Sequence, residues 1–134
     1  MGIHVVRLGT PRTAGEGTRI GTVRRPPRGV PKAQFAAQNW YDVWFPTLAP
    51  SHEVMKLAQA ADTPAQWAAF TKKYKSEMAA PEAAHAIRLL AAMSKTGNFA
   101  VGCYCVEEAH CHRSVLKALL LENGADVALP VSPQ

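Results

Sequence analysis

The chain contains no run of about 18 apolar residues, so its sequence offers no membrane-spanning helix. Its N-terminus lacks the basic, then apolar, then small-residue order of a secretory signal. Cysteines number only three, all inside residues 103–111. They are too few and too clustered for a disulfide framework, so a reducing cytoplasm is the expected setting. Helix-turn-helix, zinc-finger and RNA-binding sheet motifs are missing, as are internal repeats and low-complexity segments. What is present is ordinary for a globular protein: 134 residues, of which 48% are hydrophobic and 19% charged. That length fits one domain able to bury a core without staples, here expected over 1–134 with 130–134 as a loose tail. Nothing in the pattern names a reaction or a substrate.

The net charge of +5 is unevenly placed. Residues 1–37 carry seven Lys/Arg against one Glu, whereas residues 38–134 carry eight against nine Asp/Glu. A basic first quarter suits an anionic partner, either a small phosphate-bearing ligand or nucleic acid. It equally suits a solvated surface kept for solubility.

Ile3–Leu8 and Arg19–Val23 are short and rich in β-branched residues, which predicts strands. Gly21 inside the second suggests a bulge or a close approach by another backbone. Arg24–Pro31 holds three prolines and must be an exposed, stiff loop. A single helical turn follows over Lys32–Gln38, and then an aromatic, extended run over Asn39–Phe45. Ser51 is placed to cap a short helix over His52–Ala60. Thr63-Pro64-Ala65-Gln66 is a capping box with proline at the first helical position. Trp67, Phe70, Tyr74 and Met78 then recur at core-facing helical spacing. Another helix opens at Pro81-Glu82, buries Ala84, Ile87, Leu90, Ala91 and Ser94, and ends at a left-handed Gly97. His85 on it has no assigned role. Phe99–Cys105 reads as a buried strand, His112–Glu122 as a last helix, and Ala125–Leu129 as a short final strand. Helices separate the strands, so the fold class is α/β: one domain, a mostly parallel sheet flanked by helices in a Rossmann-like layered architecture.

Chemistry concentrates in Cys103-Tyr104-Cys105-Val106-Glu107-Glu108-Ala109-His110-Cys111-His112-Arg113, which spans the carboxyl end of a strand, a loop and a helix start. Ligands of open α/β sheets bind at that end. The first amides of a helix lack internal partners and attract anions. Arg113 adds a fixed guanidinium fork and Ser114 a further donor, so both are read as anion binders. Cys111, beside His110, His112 and Arg113, is expected to have a lowered thiol pKa, opposed by Glu107 and Glu108, which makes it a candidate nucleophile with His112 as proton carrier; the equal alternative is a passive helix-start residue. Arg24 and Arg28 of the proline loop would form a second wall if that loop shares the rim. The alternative is a metal or redox protein, with Cys103, Cys105, Cys111 and His110 (or His112) around zinc. Because the usual Cys-x2-Cys knuckle is absent, no cofactor is the first expectation. A third alternative is a nucleic-acid-binding module using Trp40, Tyr41 and Trp44 to stack bases.

The ordered series Arg24, Pro27-Arg28-Gly29-Val30, Asp42-Val43-Trp44-Phe45-Pro46-Thr47-Leu48-Ala49-Pro50-Ser51, Trp67, Phe70, Tyr74, Met78 and Cys111-His112-Arg113 resembles the bacterial and archaeal domain-of-unknown-function 488 family across nearly the whole chain. The resemblance implies a single α/β domain and supports the Cys111-His112-Arg113 turn as the site, without implying a reaction. Many family members carry an Asp-Arg pair before the Pro-Arg-Gly element. Here Val23 stands where that Asp would be.

Overall fold

A computed structural model describes residues 2–105 and 111–128. Among the described residues four strands form one sheet: β1 (Gly2–Arg7), β2 (Thr18–Gly21), β3 (Val43–Trp44) and β4 (Asn98–Cys103). Their order is β1-β4-β2-β3 and every pairing is parallel. Four helices follow the third and fourth strands: α1 (His52–Ala60), α2 (Pro64–Met78), α3 (Pro81–Met93) and α4 (His112–Glu122). The α/β class and the parallel sheet are as expected.

Local chemistry explains the helix starts. The Ser51 hydroxyl accepts from the Val54 amide at 3.3 Å. At α2 the Thr63 hydroxyl accepts from the Gln66 amide at 3.2 Å, and the Gln66 side chain accepts from the Thr63 amide at 3.2 Å. Such a cap contributes about 1 kcal/mol. Phe70, Tyr74 and Met78 are buried as the spacing predicts, with Trp67 packed against them. Tyr74 further pins the Pro46–Leu48 turn, its hydroxyl donating to Leu48 O at 2.7 Å.

Alternation along β1 divides the core. Ile3 and Val5 join Phe99, Val101 and residues of all four helices in the larger cluster. Val6 and the following Leu8 join Phe35, Trp40, Tyr41 and Val23 in a smaller one. Helices thus cover one face of the sheet, and the aromatic segment between β2 and β3 covers the other.

Several expectations need correction. Gly97 is not left-handed: Lys95, Thr96 and Gly97 instead close α3 with tight turns onto Ala92 and Met93 carbonyls. Ala83, not Ala84, is buried on α3. Gly21 makes no bulge; a Cβ there would overlap the Tyr41 ring, so the close approach is by a side chain. The run Asn39–Phe45 yields only the two-residue β3, because Trp40 and Tyr41 turn inward to pack. The strand expected over Phe99–Cys105 ends at Cys103, so Cys105 lies beyond it. The final strand reduces to one bridge, Val127 to Ile3. Leu129 and the tail 130–134 lie outside the described residues.

The basic first quarter is partly internal. Arg19 is fully buried and clamps Glu16 in two hydrogen bonds, 3.0 and 2.9 Å, while its other nitrogen donates to Thr10 O and Asn39 O. Arg12 pairs with Asp42 at 2.8 Å. Although burial pushes Asp42 up, hydrogen bonds from Arg12 and from the Arg19 amide, with both cations close by, hold its carboxyl below the usual range.

Candidate thiol and anion site

The central strand β4 delivers Cys103 at its carboxyl end, and Cys111 is the N-cap of α4. The Cys111 side chain makes no capping hydrogen bond. Its sulfur turns to Cys103 instead, and the two Sγ atoms are in contact at a Cα separation of 7.9 Å. Both cysteines are buried, as are His112 and Arg113.

His112 has one available tautomer. Its Nε2 lies 2.7 Å from Thr22 O, and a carbonyl oxygen only accepts, so Nε2 carries the hydrogen. The Nδ1 lone pair then faces Cys111 Sγ at 3.8 Å. Burial, opposed by the Thr22 hydrogen bond and reinforced by the Arg113 charge, pushes the imidazole pKa down to about 4. His112 is therefore neutral at pH 7 and lends Cys111 no positive charge. The positive group next to sulfur is Arg113, whose Nη1 donates to Val6 O at 3.2 Å and to Cys103 Sγ at 3.8 Å. Arg113, the charge partner that the sequence had suggested for Cys111, thus lies beside Cys103. Burial pushes the Cys105 thiol up despite the nearby Arg113 and Arg7 charges.

Cys103, Cys105, Cys111 and His112 open onto a cavity of about 510 Å³ that is also lined by Arg24, Arg25 and His52, among others; Arg113, read as an anion binder, is not in its described lining. Its described lining contains no carboxylate. Arg24 is held in place by hydrogen bonds to Pro50 O at 3.1 Å and Ala49 O at 3.0 Å. Thus the Leu48-Ala49-Pro50-Ser51 segment positions an arginine at the rim. Arg25 is exposed and lies 3.3 Å from His52 Nε2; because a guanidinium only donates, that nitrogen accepts. Arg28 is not brought here. It lines a neighbouring cavity of about 540 Å³. Ser114 directs both its hydroxyl and its amide to Cys111 O, at 2.8 and 3.0 Å. His110 lies outside the described residues. The site also includes groups the sequence did not signal: the Thr22 carbonyl that fixes His112, and His52 from α1.

Of the aromatic residues read as stacking groups, Tyr41 is buried in the smaller core cluster, whereas Trp44 is exposed and donates through its indole N–H to Val23 O at 2.8 Å. Val23 itself is buried and apolar, so no acid stands at that point of the rim.

The fold is a parallel α/β domain that brings paired sulfurs, a neutral histidine and an arginine together where β4 meets the start of α4. The chain belongs to the DUF488 family, residues 3–124 matching the model of DUF488-N3a, described as the active DUF488-N3 subclade. No curated protein and no solved structure gives a significant match. Among the described residues, no helix is long and apolar enough to cross a membrane.

Proposed function

We propose that this protein binds a small anionic, phosphate-type group in the cavity at the β4–α4 junction and presents a reactive thiol to it. One observation carries the reading: paired sulfurs share a cavity with Arg24, Arg25 and His52, with no carboxylate in its described lining. Two cationic side chains with no acid in the described lining favour an anion. Arg113 stabilises the thiolate of Cys103, and Cys111, within bonding reach of it, takes part as the second sulfur. Neutral His112, with its bare Nδ1 toward Cys111, is placed to accept the Cys111 thiol hydrogen.

Alkylation of the reduced protein by iodoacetamide across pH, with each modified cysteine identified by mass spectrometry, tests both halves. At Cys103 or Cys111 an apparent pKa below the free value of about 8.5 is expected, and inorganic phosphate or sulfate should slow the reaction. An apparent pKa at or above that value, or a rate indifferent to the anion, overturns the reading.

A second reading rests on a separate observation. Ligand atoms of Cys103, Cys111 and His112 lie within 4.8 Å of one another. The Thr22 carbonyl that takes the Nε2 hydrogen is the kind of outer partner that orients a metal-binding imidazole. With Cys105 in the same cavity, this donor set suits a soft divalent ion such as zinc. Stoichiometric zinc in protein purified under reducing, chelator-free conditions supports it, and its absence removes it.

A further inference from the structure

We infer that the protein binds single-stranded nucleic acid, and that the strand lies in the second cavity, next to the thiol site. This cavity, about 540 Å³, is lined by Arg7, Arg25, Arg28, Trp40 and Tyr104 among others, and again no carboxylate is in its described lining. The three arginines take no part in any ion pair among the described residues. That sets them apart from Arg12 and Arg19 of the same basic quarter, which are matched to acids. Three unmatched guanidinium groups around one hollow are a strong local field for phosphate.

The aromatic residues say which phosphate compound. Trp40 and Tyr104 meet edge to face, with ring centroids 5.9 Å apart, in the same lining. The Trp40 ring lies so close to Gly9 that a Cβ there would collide with it, so the indole is held against backbone. Tyr104 is fixed at both ends: its hydroxyl donates to Arg25 O at 2.8 Å, and its own carbonyl accepts from Arg7 Nε at 3.4 Å. Pre-placed aromatic rings among arginines favour a planar base joined to phosphate. A duplex hides its base faces, whereas an unpaired strand offers them.

The two cavities share Arg25 and Tyr104. A ligand running from one to the other carries phosphate on both sides of a base, which a strand does and a mononucleotide does not. Binding in the second cavity stands apart from the thiol reading; the continuation of the strand into the first cavity rests on it.

Fluorescence anisotropy with a labelled oligothymidylate of about ten nucleotides tests the inference. If the three arginines each contact a phosphate, log affinity should fall against log salt with a slope of about −2, at roughly 0.7 per contact on a single strand. Arg7→Ala and Arg28→Ala, both exposed positions, should each weaken binding and make the slope shallower by about 0.7. Thymidine monophosphate and a duplex of the same length should compete at least about tenfold less well. A flat salt response, an unchanged slope in both variants, or equal competition by the mononucleotide overturns the inference. Ordinary thiol pKa values alongside the expected oligonucleotide slopes would sink the thiol reading alone. Phosphate-protected thiols with no oligonucleotide binding would sink this inference alone.

Discussion

Acidification should unfold this protein partly through His112. In the folded state burial holds the imidazole pKa at about 4, against 6.5 for a free histidine. Above pH 6.5 the ring is neutral in both folded and unfolded chains, and its contribution is fully present. Between 6.5 and about 4 the unfolded chain takes up a proton that the folded chain refuses, so stability falls as pH falls. Below about 4 both states are protonated and the loss is complete. At 1.36 kcal/mol per pH unit the loss amounts to about 3 kcal/mol, a large share of the roughly 5–15 kcal/mol that holds a domain together. Urea denaturation of reduced protein at closely spaced pH values between 7.5 and 4, for wild type and His112→Gln, isolates it. The Gln amide keeps a donor for Thr22 O but does not titrate, so carboxylates that protonate in the same window cancel in the difference. Wild-type stability should fall relative to the variant across that window. A difference that stays flat would mean that His112 is not the buried neutral ring described above, and the assignment of its Nδ1 lone pair to Cys111 would fall with it.

Two further perturbations test the packing that holds the site. Glu16→Ala leaves the buried Arg19 guanidinium with only the Thr10 and Asn39 carbonyls, and should cost about 3–5 kcal/mol by chemical denaturation; Glu16→Leu with Arg19→Met should recover most of it, and a single-variant loss under about 1 kcal/mol would contradict the buried pair. Gly21→Ala forces a methyl into the Tyr41 ring and should lower stability by about 1–3 kcal/mol, with Tyr41→Leu in the same chain restoring part of it; a neutral Gly21→Ala would show that the ring does not lie there.

What could be read in advance was local. Thr63 and Gln66 are three residues apart, and a capping box needs nothing further away, so α2 starts where the pattern puts it. The start of α4 at Cys111-His112 was legible for the same reason. Arg19 was not. Its sequence neighbourhood resembles that of the exposed Arg25, and only the fold of the Thr10–Gly17 loop sets Glu16 against it. The state of His112 was equally hidden, because its decisive partner is a backbone carbonyl 90 residues away, and carbonyls leave no mark in composition. The proline loop could be recognised as stiff, but not the direction in which it sends Arg24 and Arg28. One ends on the Pro50 and Ala49 carbonyls at the thiol cavity and the other lines the next hollow.

The strand order explains why chemistry gathers where it does. β2 and β4 are neighbours, yet the chain leaves them in opposite directions. After β2 it moves outward to β3; after β4 it runs through α4 to Val127, which bridges Ile3 on the far side of β1. Two connections diverging from adjacent parallel strands leave a crevice at their carboxyl ends, the place where open α/β sheets bind ligands. Residues just past β2 supply Thr22, Arg24 and Arg25, and the end of β4 with the start of α4 supplies Cys103, Cys111 and His112. Neither group is a site by itself: arginines after β2 alone would be a solvated loop, and buried cysteines after β4 alone would be packing. The parallel register that sets Gly21 against Gly102 joins them. A substitution that slipped this register by one residue would therefore separate thiol from cation while leaving both intact.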